Sequence, residues 1–299
     1  MTNTSKAVAC MAFAMAVIPV IDVFAKFLGQ QDFPILQLVW ARFFFGALFT
    51  LPFAWKVEQA AIVRPTHPLH QSARAALLIL GTCFFFWALK FLPIADTLAI
   101  YFIQPILVTA LSPLILKEHV GPHRWACVFF GFIGVLIIIR PGFQEFNIGM
   151  LLALGAGFCS AFYLLLTRSL TGSVNAMVTT FQTSAIGAIA LSVAMPFMWT
   201  APDVNQWLML VGIGFFAIVG HYFITLAYDM GEASLISPLG YLEMITAVLL
   251  GWYFFDNFPD GWTFVGVAIL IASAIYISMR ERLKAKAVTL LRNTSYRGP

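Results

Sequence analysis

An acidic side chain, Glu243, lies inside a long apolar stretch of the chain. Positions 233–254 are apolar over about 22 residues, which is the length of a helix that crosses a bilayer. At about 1.5 Å per residue, Glu243 is roughly 15 Å from the start of that stretch, near the middle of a bilayer. A charge at that depth is costly, so Glu243 is predicted to bind a substrate ammonium group or to titrate a coupling proton. The alternative is that a hydrogen-bond partner neutralises it and that it only holds helices together.

Three side chains that form hydrogen bonds are predicted close to Glu243. Gln104 is nine residues from the outer start of its own apolar stretch, and Tyr101 precedes it by three residues. Tyr241 precedes Glu243 by two residues. We predict that Gln104, Tyr101 and Tyr241 supply hydrogen bonds to the substrate that Glu243 contacts.

Asp22 and Arg42 form a second charged constellation. Asp22 is about six residues from the outer end of the first predicted helix, and Arg42 is eight residues from the outer start of the second. Adjacent antiparallel helices would bring the two side chains to the same depth, and an ion pair would explain how both charges are tolerated. We therefore predict an Asp22–Arg42 pair that fixes two helices or opens as a gate, and direct contact with the substrate is the alternative.

His221 is an isolated histidine in the eighth apolar stretch. No Asp, Glu or Cys stands at the spacing of a metal co-ligand, so no metal site is predicted. A packing role and a cavity-lining role are equally open, and His221 is kept as a candidate substrate contact. The sequence has no Walker motif, Gly-rich nucleotide fingerprint or HExxH motif, so no cofactor is predicted.

The composition is that of a polytopic membrane protein. Of 299 residues, 61% are hydrophobic and 10% are charged, and the mean hydropathy is +0.90. Soluble domains carry about 25% charged residues. The net charge is +4, but the basic residues lie in predicted loops and tails rather than on one face, so no nucleic-acid partner is predicted. The lipid bilayer is the expected surroundings of the chain.

Apolar windows of about 20 residues predict an all-α membrane protein with ten transmembrane helices. They lie near 6–28, 34–55, 74–92, 95–116, 123–140, 147–168, 174–199, 204–229, 233–254 and 260–280. Most Lys and Arg residues flank these helices on the side of both termini, and Arg74 is counted among them. By the positive-inside rule, the N- and C-termini are expected to be cytoplasmic.

A duplication divides the predicted helices into two halves. At a constant offset of 137 positions, the second half repeats four elements of the first: Leu98, Thr109–Ala110, Pro122 and Trp125 recur as Leu235, Thr246–Ala247, Pro259 and Trp262. Each half holds five helices, an odd number, so the halves are predicted to be inverted repeats with a binding site between them near mid-membrane. The predicted divisions are 1–142 and 143–282 for the two five-helix repeats and 283–299 for a cytoplasmic polar tail.

Short motifs along the chain add a family resemblance. They are Arg42-Phe-Phe-Phe, Lys117-Glu118, Gly131-Phe-Ile-Gly134, Arg140-Pro141-Gly142, Ser237-Pro-Leu-Gly-Tyr-Leu-Glu243 and Phe258-Pro-Asp260. With ten spans in two halves, the chain resembles the EamA branch of the drug/metabolite transporter (DMT) superfamily. The resemblance implies secondary transport of small metabolites across a bacterial inner membrane, commonly the export of amino acids. Within the superfamily, the motifs around Asp22, Arg42 and Glu243 look most like those of S-adenosylmethionine uptake transporters.

The predicted function is therefore an inner-membrane secondary transporter that exports amino acids or related metabolites by alternating access. Its expected partners are a small-molecule substrate and a coupling proton. The runner-up is uptake of S-adenosylmethionine. An integral membrane enzyme and a passive channel are the alternatives from other classes, and the inverted duplication argues against the enzyme.

Overall fold

The computed structural model describes residues 3–59, 66–139 and 147–256, and residues 261–280 apart from 263, 274, 277 and 278. These parts of the chain are helical and contain no strand. The α-helices are α1 (Asn3–Val17), α2 (Pro19–Gln30), α3 (Ile35–Val57), α4 (Pro68–Phe91), α5 (Ile94–Tyr101), α6 (Ile103–Ile115), α7 (Pro122–Ile139), α8 (Ile148–Ser169), α9 (Ala176–Ser192), α10 (Met195–Met198), α11 (Val204–Met230), α12 (Ala233–Ile236), α13 (Leu242–Phe255) and α14 (Phe264–Ser273). A 3₁₀ segment, Ser237–Tyr241, joins α12 to α13.

Seven helical stretches within the described residues are long and apolar enough to cross a membrane. Pro122–Ile137, Ala176–Ser192 and Phe264–Ser273 are further apolar helices of shorter length. The protein is therefore a helical, multi-pass membrane protein, whereas ten spans and inverted halves stay predictions. The predicted tail 283–299 and the motifs at 140–142 and 258–260 lie outside the described residues.

Three of the predicted spans are broken in mid-course, and the seventh is broken only near its end, between α9 and α10. The first is interrupted at Ile18, the fourth at Phe102, and the ninth by the 3₁₀ segment Ser237–Tyr241. A proline lies at or near each interruption, and proline has no N–H for the helical ladder and clashes with the carbonyl four residues earlier. These residues are Pro19, Pro105 and Pro238. Pro113, by contrast, lies inside α6 without ending it.

The broken helices meet at the centre of the protein. α4 packs along α8, α3 packs along α9 and α11, and α1 packs along α11. The two helices that carry the sequence repeat are in direct contact, because the hydroxyls of Thr109 and Ser237 are 3.1 Å apart. The rings of Phe102 and Tyr241 also lie 5.4 Å apart at their centroids. All three interruptions therefore surround one central region.

Side-chain caps set where the surrounding helices begin. Asn147 accepts a hydrogen bond from Gly149 N at the start of α8, and Asn175 caps α9 in the same way. At the start of α11, Asp203 forms a capping box with Gln206. Each cap satisfies amide groups that the first turn leaves free, and it thereby fixes the register of a helix that borders the centre.

Small residues on α8 allow the break between α5 and α6 to approach closely. Ala153, Gly157 and Ala161 recur at four-residue spacing and are buried. A Cβ atom at Gly157 would lie 2.6 Å from the backbone oxygen of Tyr101. Gly157 therefore lets α8 touch the backbone of the broken helix.

We expect Gly157→Ala to destabilise the protein by about 1–3 kcal/mol, because the added methyl overlaps backbone that cannot move aside. The measurement is thermal unfolding in detergent. Gly155→Ala on the same helix is the matched control, because its Cβ would meet only the Phe84 ring, at 3.2 Å. Equal melting temperatures for the two variants would contradict the close approach.

Candidate functional site

A central cavity lies where the three broken helices meet. Its empty volume, which includes the open mouth, is about 720 Å³. The interruptions place Asp22, Gln104 and Glu243 within five residues of a helix break. Breaks of this kind turn polar side chains into a cavity where a continuous helix would present an apolar face.

Six of the seven residues predicted from the sequence as site residues line this one cavity. They are Asp22, Arg42, Tyr101, Gln104, His221 and Glu243. The apolar part of the wall includes Met11, Met15, Phe85 and Phe86. The structure thus brings the predicted residues together, and their contact with a substrate stays a prediction.

Tyr241 is not among the residues that line the central cavity. Its hydroxyl donates a hydrogen bond of 3.3 Å to the backbone oxygen of Val128, and its ring packs against Gly131 and Phe102. The prediction that Tyr241 contacts substrate beside Glu243 is therefore not supported, because this phenol is used in packing against α7.

The predicted Asp22–Arg42 ion pair is wrong, although both side chains line the cavity. Arg42 donates a hydrogen bond of 2.5 Å to the hydroxyl of Thr82, and its other terminal nitrogen contacts Nε2 of His221. Among the described residues, ion pairs join Arg168 to Glu118, at 3.0 Å, and Arg124 to Glu232. The two side chains thus line the same cavity without a direct contact, and neutral partners hold Arg42.

Several polar atoms in the cavity wall have no protein partner. Oδ2 of Asp22 and Nε2 of Gln104 are buried without a hydrogen bond. Glu243 is 7% exposed, and no protein group in the described part of the chain bonds its carboxylate. An unsatisfied buried polar group costs about 1–3 kcal/mol, and more when it is charged. The cavity is therefore prepared for a polar or charged ligand that would satisfy these groups.

His221 lines the cavity and also joins two other side chains. Its Nε2 contacts Arg42, and its Nδ1 lies 3.1 Å from the hydroxyl of Tyr163. The structure therefore gives His221 both of the roles that the sequence left open. No group of three or more His, Cys, Asp or Glu side chains in the described ranges is placed to hold a metal ion.

Two residues that the sequence analysis missed lie beside this site. Tyr163 lines the cavity. Arg74 does not line it, but it is fully buried in the protein instead of lying at a membrane surface as predicted. Arg74 was misplaced because α4 begins at Pro68, six residues before the predicted start of 74–92. Proline favours the first turn of a helix, so Pro68 was the signal that could have corrected this start.

A vestibule adjoins the central cavity near the C-terminal ends of α2 and α4. It has an empty volume of about 770 Å³ and is lined by Lys26, Lys90 and Asp32 among others. Phe86 lines both the vestibule and the central cavity. The ring of Phe86 therefore stands between the two spaces.

Comparison with known proteins identifies relatives over most of the chain. The model of the EamA-like transporter family matches residues 5–140 and 147–279. A riboflavin transporter of Vibrio cholerae is 33% identical over 71% of this chain and 72% of its own length. A riboflavin transporter of Brucella anthropi is 29% identical, covering 91% and 96% of the two chains. An S-adenosylmethionine uptake transporter of Rickettsia prowazekii is 25% identical, covering 87% and 88%.

A solved crystal structure is also similar to this protein. It superposes with a TM-score of 0.71 at 19% sequence identity and covers 90% of this chain and 97% of the other. At that identity the likeness shows a shared fold and nothing about the ligand.

We expect Asp22→Asn to leave the thermal stability of the protein unchanged or to raise it. The substitution removes a buried charge that has no direct ion-pair contact, so the desolvation cost that is lost exceeds the longer-range attraction to Arg42 that is broken. The matched control is Glu118→Gln, which breaks the contact with Arg168 and should lower the melting temperature in detergent. A loss of stability in Asp22→Asn as large as that in the control would restore the predicted Asp22–Arg42 pair.

Proposed function

Because this chain belongs to the EamA-like transporter family of the DMT superfamily, we propose that it is a secondary transporter whose central cavity binds S-adenosylmethionine. Family membership makes the protein a membrane transporter of small molecules. The substrate, the direction of transport and the residues that bind the substrate belong to the proposal.

The charges of the central cavity are the observation that carries this proposal. Two carboxylates, Asp22 and Glu243, and one guanidinium, Arg42, line it. S-adenosylmethionine carries two cationic centres, a sulfonium and an ammonium, and one carboxylate. Each cavity charge can therefore meet an opposite charge on this ligand, which offsets the cost of burying them all.

The uncharged part of the wall suits the rest of that ligand. Phe85 and Tyr101 pack edge to face with centroids 5.3 Å apart, and Met11 and Met15 lie across the cavity wall. Aromatic rings and thioethers pack well against a flat heteroaromatic ring such as adenine. The free amide of Gln104 supplies a hydrogen-bond donor for its edge.

The proposed role of the protein is uptake across a bacterial inner membrane by alternating access, with both termini in the cytoplasm. Proteins named S-adenosylmethionine uptake transporters among the relatives support uptake. Glu243 would bind the ammonium or sulfonium, Asp22 the other cationic centre, and Arg42 the carboxylate. In the empty cavity, a proton on Glu243 would replace the ligand charge.

Riboflavin is the second candidate substrate. The relatives at 33% and 29% identity are named riboflavin transporters, and the aromatic wall would also stack on an isoalloxazine ring. Riboflavin is neutral, so it would leave Asp22, Glu243 and Arg42 without opposite charges. The two candidates therefore differ in how they depend on the cavity acids.

Export of amino acids, the first expectation from the sequence, is the third candidate function. A zwitterionic amino acid offers one ammonium, so one of the two cavity acids would be left for a coupling proton. The relatives named above are riboflavin and S-adenosylmethionine transporters, and they give no support to amino-acid export. Chemical turnover of a substrate by the purified protein would instead point to an enzyme.

We expect exchange of labelled S-adenosylmethionine in proteoliposomes, and we expect Glu243→Gln to weaken its binding at least about tenfold, because a buried charge loses its partner. Riboflavin, threonine, methionine and phenylalanine are offered in parallel. Glu58→Gln is the matched control, because Glu58 is exposed at the end of α3 and should exchange like the parent protein.

Two results would contradict the proposal. Exchange of riboflavin alone, unchanged or improved in Glu243→Gln, would assign the cavity to a neutral ligand. Exchange of several amino acids without S-adenosylmethionine would restore the amino-acid transporter expected from the sequence.

A further inference from the structure

Arg74 is a fully buried arginine whose hydrogen bonds all go to neutral groups. Its Nε donates to the hydroxyl of Thr167 at 2.7 Å, and Nη1 donates to the backbone oxygen of Thr179 and to the hydroxyl of Thr183. Its Nη2 donates to the hydroxyls of Tyr163, at 3.1 Å, and Thr225, at 3.3 Å. A guanidinium has five N–H groups, so every donor of Arg74 is used.

These acceptors tie four helices together at one level. Arg74 itself is on α4, whereas its acceptors are on α8, α9 and α11. The guanidinium carbon also lies 4.8 Å from the centroid of the Tyr163 ring. We call Arg74 with its five acceptor residues the Arg74 cluster. Because all five donors are satisfied, the cluster closes the space between these helices and offers no free donor to a ligand.

The Arg74 cluster is connected to the central cavity through two side chains. The hydroxyl of Tyr163 is 3.1 Å from Nδ1 of His221, and Nε2 of His221 contacts a terminal nitrogen of Arg42. Arginine can only donate, so Nε2 must accept and the ring proton must be on Nδ1, which then donates to Tyr163. Arg42, His221, Tyr163 and Arg74 are thus joined in one chain of hydrogen bonds, in which the Tyr163 hydroxyl accepts from both His221 and Arg74.

A second, smaller cavity marks the same connection. It has an empty volume of about 290 Å³ and is lined by both arginines, by Tyr163 and His221, and by Thr180. Arg42, Leu78, Tyr163 and His221 also line the central cavity. The two spaces are therefore neighbours that share residues of the hydrogen-bond chain, and Arg74 and Thr183 line the smaller one but not the central one.

Gln71 supplies an independent sign that Arg74 has a second arrangement. It is fully buried one turn before Arg74 on α4, and neither atom of its amide has a hydrogen-bond partner. Residues three apart on a helix are neighbours, so the amide oxygen of Gln71 can accept from Arg74 after Arg74 leaves its threonines. The group that is unsatisfied here would be satisfied in that arrangement.

We propose that His221 and Tyr163 are positioning residues that couple ligand binding at Arg42 to the release of the Arg74 cluster. When Arg42 moves from His221 to an anionic group of the ligand, the cluster is released and the cavity opens toward the N-terminal end of α4. This inference rests on the proposed function for the identity of that ligand. The end that opens is the side predicted to be cytoplasmic.

The coupling follows from the Tyr163 hydroxyl, which is the shared acceptor of His221 and Arg74. When Arg42 turns to a ligand carboxylate, Nε2 of His221 loses its donor, and the imidazole is free to rotate. Rotation withdraws the Nδ1 proton from Tyr163, so the hydroxyl loses one of the two donors that hold it in place. When the phenol then moves from Arg74, Arg74 is left one acceptor short, and the amide oxygen of Gln71 can replace that acceptor.

The test uses a reporter cysteine in the smaller cavity. Thr180→Cys is nearly isosteric, and Thr180 bonds only to the Ala176 carbonyl of its own helix turn. Labelling by a polar methanethiosulfonate reagent is read at position 180 by peptide mass spectrometry in full-length protein in vesicles. We expect Arg42→Met, without any ligand, to raise the labelling rate at least about threefold, because the first link of the chain is lost.

Tyr163→Phe then decides whether the chain carries the effect. This substitution keeps the ring over Arg74 and removes the hydroxyl, which is the acceptor shared by His221 and Arg74. In the Tyr163→Phe background, we expect Arg42→Met to cause no further change in labelling. Tyr228→Phe is the matched control, because the Tyr228 hydroxyl is buried without a partner, and in that background Arg42→Met should still raise the rate.

Two variants at His221 test whether this residue acts through its hydrogen bonds or only by filling space. The amide of Gln can accept from Arg42 and donate to Tyr163, so His221→Gln should keep the rise caused by Arg42→Met, and His221→Leu should lose it. Saturating S-adenosylmethionine should raise the parent rate as Arg42→Met does.

The inference is overturned if Arg42→Met leaves position 180 as unreactive as in the parent. It is also overturned if the rise is the same in the Tyr163→Phe and Tyr228→Phe backgrounds. If the parent protein does not bind S-adenosylmethionine, the proposed function is contradicted. The effect of Arg42→Met on labelling without ligand still tests the coupling in that case.

Discussion

A polar group buried at the depth of a bilayer core must be satisfied inside the protein or by a ligand, because no water or lipid headgroup is available there. This constraint divides the buried charges of the structure into two kinds. Arg74 has an acceptor for every donor, and Arg168 has a carboxylate. Asp22 and Glu243 have atoms without protein partners in the described chain. The satisfied charges hold helices together, whereas the unsatisfied ones define the site.

The same constraint acts on the backbone. Interruptions of the helical ladder are tolerated in a membrane only where they are covered by protein or border a polar cavity. The three mid-span interruptions, at Ile18, at Phe102 and over Ser237–Tyr241, meet at the central cavity. The prolines that break these helices therefore do two things at once, since they turn polar side chains inward and place free backbone groups where the protein encloses them.

Counting along apolar stretches indicated which of the predicted residues would lie near one another. Asp22, Arg42, Gln104, His221 and Glu243 reach the cavity because depth depends mainly on the rise per residue, and broken helices keep a similar rise. Partners could not be predicted in this way. The side chain that meets Arg42 depends on how α3, α4 and α11 are rotated against one another, and a single sequence carries no record of those rotations.

Tyr241 shows that the direction of a side chain around the helix axis is harder to predict than its position along the axis. Tyr241 and Glu243 are two residues apart, which is about 200° around an α-helix, so side chains at such positions point to opposite faces. The 3₁₀ segment Ser237–Tyr241 turns by about 20° more per residue than an α-helix, which moves its side chains further from a helical count. Tyr241 faces α7, while Glu243 faces the cavity. Arg74 was missed for a simpler reason, since the start of α4 was placed six residues too late.

The neutral surroundings of Arg74 have an electrical consequence. A guanidinium that is paired with a carboxylate carries no net charge with it when the pair moves, but Arg74 would move as a full positive charge. A charge that crosses the whole membrane field exchanges about 2.3 kcal/mol per 100 mV, and a shorter path exchanges a proportional share. Any rearrangement that shifts Arg74 along the membrane normal therefore makes the balance between the two sides of the cavity depend on the membrane voltage, even for an electrically neutral substrate.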